Sequence, residues 1–186
     1  MVTSPLRRRC EAAGVADLLF LCTGNAARSV MAGAAFSQRL PQVLVETAGT
    51  LTVDGQPMSW RTRSALEHVG VAPPTGHRSK QATGRDIEDA ALVIGLAPEH
   101  VLWVRREHPS ASPRTATLRR LCRDLGAASG ASLAERVAAL SLADVALAPW
   151  EEVEDPGGGE IEDFMACAAA IVGLVDALAE VLSPLM

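Results

Sequence analysis

Asp17-Leu18-Leu19-Phe20-Leu21-Cys22-Thr23-Gly24-Asn25-Ala26-Ala27-Arg28-Ser29 decides how the rest of the chain is read. The segment from Asp17 to Leu21 is a short apolar run, the pattern of a strand buried on both faces. Small and polar residues follow. From Ser29 to Leu40 the pattern turns helical, with Val30, Ala34 and Leu40 among small residues, and Pro41 closes it. A short loop between a buried strand and a helix can curl until successive backbone N–H groups point inward and form a nest for an anion. The helix adds its own free N–H groups and the positive end of its dipole. Arg28 supplies a planar fork of donors matched to two oxygens of a phosphate. Cys22 stands at the floor of this cradle, where the field that holds an anion also favours a thiolate. Gly24 and Asn25 suit the unusual dihedrals such a loop needs.

Outward from this stretch, strand patterns alternate with helical ones. Strands are expected at Gln42 to Ala48, Ala91 to Gly95 and Arg114 to Thr117. Helices are expected at Trp60 to Val69, Gly84 to Asp89, Pro98 to Arg106, Leu118 to Leu125, Ser132 to Ala148 and Ile161 to Leu182. Loops are expected at Pro109 to Pro113 and, acidic and glycine-rich, at Trp150 to Glu160. Alternating strands and helices imply βαβ crossovers. The predicted fold is α/β, a doubly wound four-stranded parallel sheet with helices on both faces. Sites in such sheets lie at the carboxyl ends of strands near a topological switch point, which is where Cys22 falls. Residues 1–15 read as a loose arm and 16–186 as a single domain, since 186 residues would be cramped as two.

Composition narrows the function. With 48% hydrophobic and 21% charged residues and a net charge of −5, neither disorder nor nucleic-acid binding is expected. No stretch reads as a membrane span or a signal peptide, so a cytoplasmic protein with no membrane partner is expected. The four cysteines, Cys10, Cys22, Cys122 and Cys167, form no CxxC pair or Cys/His cluster; no metal and no cofactor are expected. Cys10, Cys122 and Cys167 read as unreactive thiols, and His68, His100 and His108 as structural.

By itself Asp155 reads as one more charge in a solvated acidic loop, with two features that would suit a catalytic acid. Pro156 restrains it to extended conformations, and the glycines that follow allow a tight loop over a pocket. The glutamates around it, Glu151, Glu152, Glu154 and Glu160, read mostly as surface charges.

The loop from Leu21 to Ser29 resembles the signature loop of the low-molecular-weight protein tyrosine phosphatases, V-C-x-G-N-x-C-R-S-P. Further segments are similar to that family in order along the chain: Glu46-Thr47-Ala48-Gly49-Thr50, Gly76-His77-Arg78-Ser79-Lys80-Gln81-Ala82-Thr83, Ala90 to Gly95 with Glu99-His100, and Asp155-Pro156 with Gly158, Gly159 and Glu162. The resemblance implies phosphomonoester hydrolysis through a phosphocysteine. Cys22 is then the nucleophile. Arg28 and the backbone of Thr23, Gly24, Asn25, Ala26, Ala27 and Arg28 bind the phosphate. Asp155 is the general acid and then the general base. Ser29, Asn25, Thr47 and His77 support the loop. The implied partners are a phosphorylated protein carrying phosphotyrosine, or a small aryl phosphate, with phosphate or another oxyanion in the loop.

The chain departs from the family pattern in four places. Ala27 replaces the usual second loop cysteine, and Val30 replaces the usual proline. Gly157 stands where tyrosine-directed members carry an aromatic residue, and the chain has no tyrosine at all. Leu51, Val53 and Trp60 are the candidates for a substituting apolar wall. The stretch 126–150 is extended and has no assigned role. Two other functions use the same cradle: an arsenate reductase, which needs a resolving cysteine in reach, and a non-catalytic phosphate-recognition module, which needs no acid.

Overall fold

The computed structural model describes residues 17–186; the arm expected at residues 1–15 lies outside them. Four parallel strands, β1 (Leu18–Cys22), β2 (Val45–Gly49), β3 (Leu92–Gly95) and β4 (Thr115–Thr117), lie in the order β2-β1-β3-β4. The chain leaves β1 toward β2 on one side and returns to β3 on the other. The switch point therefore lies between the carboxyl ends of β1 and β3.

Both faces of β1 are covered, which explains its unbroken apolar run. Leu18, Phe20 and Cys22 face one core with Met31, Phe36, Ile171 and Val175; Leu19 and Leu21 face the other with Ile87, Val93 and Val104. The Phe20 and Phe36 rings meet with centroids 6.0 Å apart. The first core is closed by helices α1 (Arg28–Arg39), α2 (Trp60–His68), α5 (Leu118–Asp124), α6 (Leu133–Ala139) and α7 (Ile161–Leu182), and the second by α3 (Gly84–Asp89) and α4 (Pro98–Glu107). The expected doubly wound sheet is therefore present.

Three expectations need correcting. The helix expected from Ser132 to Ala148 stops at Ala139, where Leu140 caps it and Ser141 takes φ +49°. Arg105 donates to the carbonyls of Leu142 and Val145, and Arg120 to that of Ala146, so these carbonyls bond side chains instead of a helix. Pro109–Arg114 is a 3-10 helix, with the Thr115 hydroxyl bonding back to the Ala111 carbonyl. Finally, α7 is long and apolar enough to cross a membrane by length and composition alone. Here it packs along α1, α2 and α5, and buries Phe164, Ala168, Ile171, Val175, Leu178 and Leu182.

Candidate active site

The loop after β1 is built around Asn25, which is fully buried and takes φ +48°, a left-handed conformation that asparagine tolerates better than most residues. Every polar atom of Asn25 is used. Its N–H donates to Cys22 Sγ (3.2 Å). Its Nδ2 donates to Ser29 Oγ (3.0 Å) and Thr47 Oγ1 (2.9 Å). Its Oδ1 accepts from the Lys80 N–H (3.0 Å) and its carbonyl from His77 Nε2 (2.9 Å). Because that acceptor is a carbonyl, the His77 proton sits on Nε2. Thr47 in the middle of β2 and His77 just after the 75–76 turn are thus both tied to Asn25.

Ser29 Oγ lies 3.0 Å from Cys22 Sγ. With Cys22 as a thiolate, the Ser29 hydroxyl is the donor to sulfur, while one of its lone pairs accepts from Asn25 Nδ2. Side chains brace two more loop carbonyls: Thr52 Oγ1 donates to Gly24 O (2.7 Å) and Thr62 Oγ1 to Ala26 O (3.0 Å). At Gly49, a Cβ would meet the Thr23 carbonyl at 2.6 Å, so only glycine lets β2 pass so close beneath the loop. Helix α1 starts at Arg28 with no side-chain cap and no acidic residue in its first turn. That leaves its amino end suited to an anion.

The Arg28 side chain is nearly buried, with 3% exposed, whereas Asp155 is half exposed at 47%. Arg28 Nη2 donates to Asp155 Oδ2, and Nη1 to the Val153 carbonyl (3.2 Å). Cys22, Arg28 and Asp155 therefore share one cleft of about 280 Å³, lined also by Gly24, Ala26, Ala27, Ser59, Thr62, Gly157 and Phe164. Leu51, Val53 and Trp60 do not line it; all three are largely exposed. Leu51 is held by its backbone N–H on the Thr23 carbonyl (3.0 Å), with its side chain left to solvent.

Sequence reasoning passed over two residues. His100 reads as structural in the sequence, yet it meets the loop. Its Nδ1 accepts from the Ala97 N–H (3.0 Å), which puts the proton on Nε2, 3.2 Å from Thr23 Oγ1. Thr23 Oγ1 in turn lies 3.2 Å from Glu99 Oε1 and accepts from Arg28 Nη2 at 3.4 Å. Burial, and secondarily the Arg28 charge, push His100 down to about 3, so it is neutral at working pH. Only the Glu99-His100 segment hinted at this contact. Glu151 is the second: it is fully buried and not a surface charge.

The other described cysteines are held as thiols, although Cys167 shares a pocket with Asp155 and lies within electrostatic reach of Arg28 and Cys22. Burial pushes the Cys122 thiol up to about 11 and the Cys167 thiol up to about 12. Among the described residues, no group of three or more His, Cys, Asp or Glu is placed to hold a metal ion.

A parallel sheet with an oxyanion-type loop at its switch point, a thiol on the loop floor and a carboxylate over it is the architecture of a cysteine-dependent phosphatase. A family model described as low molecular weight phosphotyrosine protein phosphatase matches residues 17–135. The protein-arginine-phosphatase of Geobacillus stearothermophilus is 31% identical over 164 residues, covering 88% of this chain and 93% of that protein. The solved structure of the YwlE arginine phosphatase from Geobacillus stearothermophilus superposes with a TM-score of 0.70 at 28% identity, covering 90% of this chain and 93% of that one. The low molecular weight protein tyrosine phosphatase from T. tengcongensis gives 0.67 at 26% identity, over 88% and 97% of the two chains. The chain belongs to the low molecular weight protein tyrosine phosphatase family and is a hydrolase, a phosphatase.

Proposed function

We propose that Cys22, Arg28 and Asp155 hydrolyse a phosphorylated protein side chain through a phosphocysteine intermediate. The convergence of these three side chains in one cleft carries this reading. The Cys22 thiolate attacks phosphorus, and the S–P bond forms as the bond to the leaving atom breaks. Arg28 and the backbone N–H groups from Thr23 through Arg28 hold the three remaining oxygens. An entering phosphoryl group takes over the Arg28 donor that Asp155 now occupies, and the carboxyl then faces the leaving atom and protonates it. In the second step Asp155 takes a proton from water, the water oxygen bonds to phosphorus, and the Cys22 thiolate departs. Ser29 steadies that thiolate, while Asn25, Thr47 and His77 keep the loop in shape.

Within this chemistry, phosphoarginine is placed ahead of phosphotyrosine. Two observations support that order. A relative that matches 88% of the chain is a protein-arginine-phosphatase. The cleft walls are Ser59, Thr62, Gly157 and a buried Phe164, with no exposed ring over which a phenyl group would stack. A flexible guanidino stem needs no such ring, and its nitrogen leaving group requires the proton Asp155 carries. Turnover of phosphoarginine, phosphotyrosine and phosphoserine peptides, measured side by side in EDTA, tests both levels. A higher kcat/KM on phosphoarginine is expected. A higher value on phosphotyrosine would reverse the substrate order, and no turnover on any of them would overturn the phosphatase mechanism.

A further inference from the structure

We infer that Glu151 is a positioning residue for the general acid: it fastens the Asp155 segment to the far side of the sheet and so sets where that carboxyl reaches. The inference rests on the role proposed above for Asp155. From Glu151 to Asp155 the chain makes a fixed contact at every second residue, as an extended strand does. Glu151 is held at the carboxyl end of β4: its Oε2 accepts from Thr117 Oγ1 (2.7 Å) and Arg120 Nε (2.9 Å), and its Oε1 from Arg120 Nη2 (2.5 Å) and the Ala148 N–H (2.9 Å). Val153 comes next. Its N–H donates to the Leu96 carbonyl just past β3 (2.8 Å), and its carbonyl accepts from Arg28. Asp155 then meets Arg28 in the loop after β1. The segment thus steps across the ends of β4, β3 and β1 in turn and delivers the acid at the last step.

The first anchor is the strongest of the three. Glu151 is completely buried, Thr117 is too, and Arg120 is 8% exposed. Burial alone would push the Glu151 carboxyl up, but hydrogen bonds from Arg120, Thr117 and Ala148 outweigh it and leave the carboxyl below its usual value. Arg120 is itself fixed by the Ala146 carbonyl (3.0 Å), and the Trp150 ring lies against both Arg120 (5.3 Å) and Arg123 (4.1 Å). Such a pair contributes little net stability over a packed apolar substitute, but it fixes a geometry. A carboxyl displaced by about an ångström loses catalytic efficiency on the order of a hundredfold.

The test compares phenyl phosphate, whose leaving oxygen needs a proton, with 2,4-dinitrophenyl phosphate, whose leaving oxygen does not. Glu151→Ala should lower kcat on phenyl phosphate by roughly 10- to 100-fold, with a much smaller loss on the dinitrophenyl ester. Added to Asp155→Asn, the same substitution should cost nothing more on phenyl phosphate. Glu151→Gln, which keeps an acceptor oxygen, should recover part of the loss. Because Glu151→Ala strips a buried Arg120 of its main partner and leaves it only the longer Asp124 contact (3.4 Å), a second variant, Arg120→Met with Glu151→Leu, separates folding from positioning. Its Tm should return toward wild type while phenyl phosphate turnover stays low. Equal losses on the two esters, additivity with Asp155→Asn, or turnover that returns with Tm would each overturn the inference. An Asp155→Asn enzyme that loses both esters equally would instead defeat the acid assignment, and this inference with it.

Discussion

The two halves of the cleft are built on opposite plans. The Cys22 loop is closed upon itself: Asn25 spends all its polar atoms within a few ångströms, and Thr47, Thr52, Thr62 and His77 brace the loop from outside. The Asp155 segment is strung between distant points, bonded at Glu151, Val153 and Asp155, with its working carboxyl half exposed. The difference matches the two tasks. A cradle that stabilises charge works best when it need not rearrange, whereas an acid that becomes a base must admit a leaving group and then a water. Damage to the loop should therefore harm every substrate alike, and damage to the segment should depend on the leaving group.

The sharpest break is at the loop. Cys22→Ser and Arg28→Ala should each abolish measurable turnover of all phosphate esters, one by removing the nucleophile and the other by removing the bidentate clamp. Turnover surviving in either variant would collapse the contrast. Peroxide should produce the same total loss by oxidising the Cys22 thiolate, and mass spectrometry should find no prompt disulfide to Cys122 or Cys167, whose thiols are pushed up by burial.

Next in size is Asp155→Asn, with a loss of roughly 10²- to 10⁴-fold on a phenol-type leaving group and less on one that leaves unprotonated. Initial rates on the two esters read this directly. A uniform loss would mean that the segment, like the loop, is structural.

Asn25→Ala should cost on the order of 3 kcal/mol, because the Lys80 N–H and the Ser29 and Thr47 hydroxyls lose partners in a buried site. Chemical denaturation measures it, and a cost near zero would show that the loop holds its shape without Asn25.

The last effect concerns pH. His100 titrates near 3 in the folded protein instead of at its ordinary 6.5, so between these values the unfolded chain binds the extra proton. This contribution is complete above pH 6.5 and declines as the pH falls toward 3. Tm should drop with acidity over that window, and His100→Asn should flatten the slope. An unchanged slope would disconnect His100 from acid sensitivity.

The sequence showed the loop more fully than the segment, for a physical reason. Strand, loop nucleophile, clamp and helix are contiguous from Leu18 to Arg39, so local pattern reveals them together. Thr47 and His77 were legible only through motifs further along the chain. Glu151 was not legible and His100 only hinted at by the Glu99-His100 segment, because their burial depends on partners far away in sequence: Thr117 and Arg120 for one, Thr23 for the other. A glutamate among glutamates carries no local sign of the arginine that will cover it. The alanine-rich stretch after Ser132 misled for a related reason. Helix propensity was high throughout, but Arg105 and Arg120 capture the carbonyls of Leu142, Val145 and Ala146 from outside.

The position of α7 bears on how the chain is made. The central strand β1 is made before every other described element, yet one face of its core is sealed by Phe164, Ile171 and Val175 of α7, the helix made after all the other described ones. Until α7 emerges, the nascent chain shows the bare side of Leu18, Phe20 and Phe36 to whatever surrounds it. Folding is thereby deferred until translation has passed α7. A ribosome that stalls before Ile161 leaves an apolar intermediate, a substrate for chaperones and proteases and not a slower enzyme.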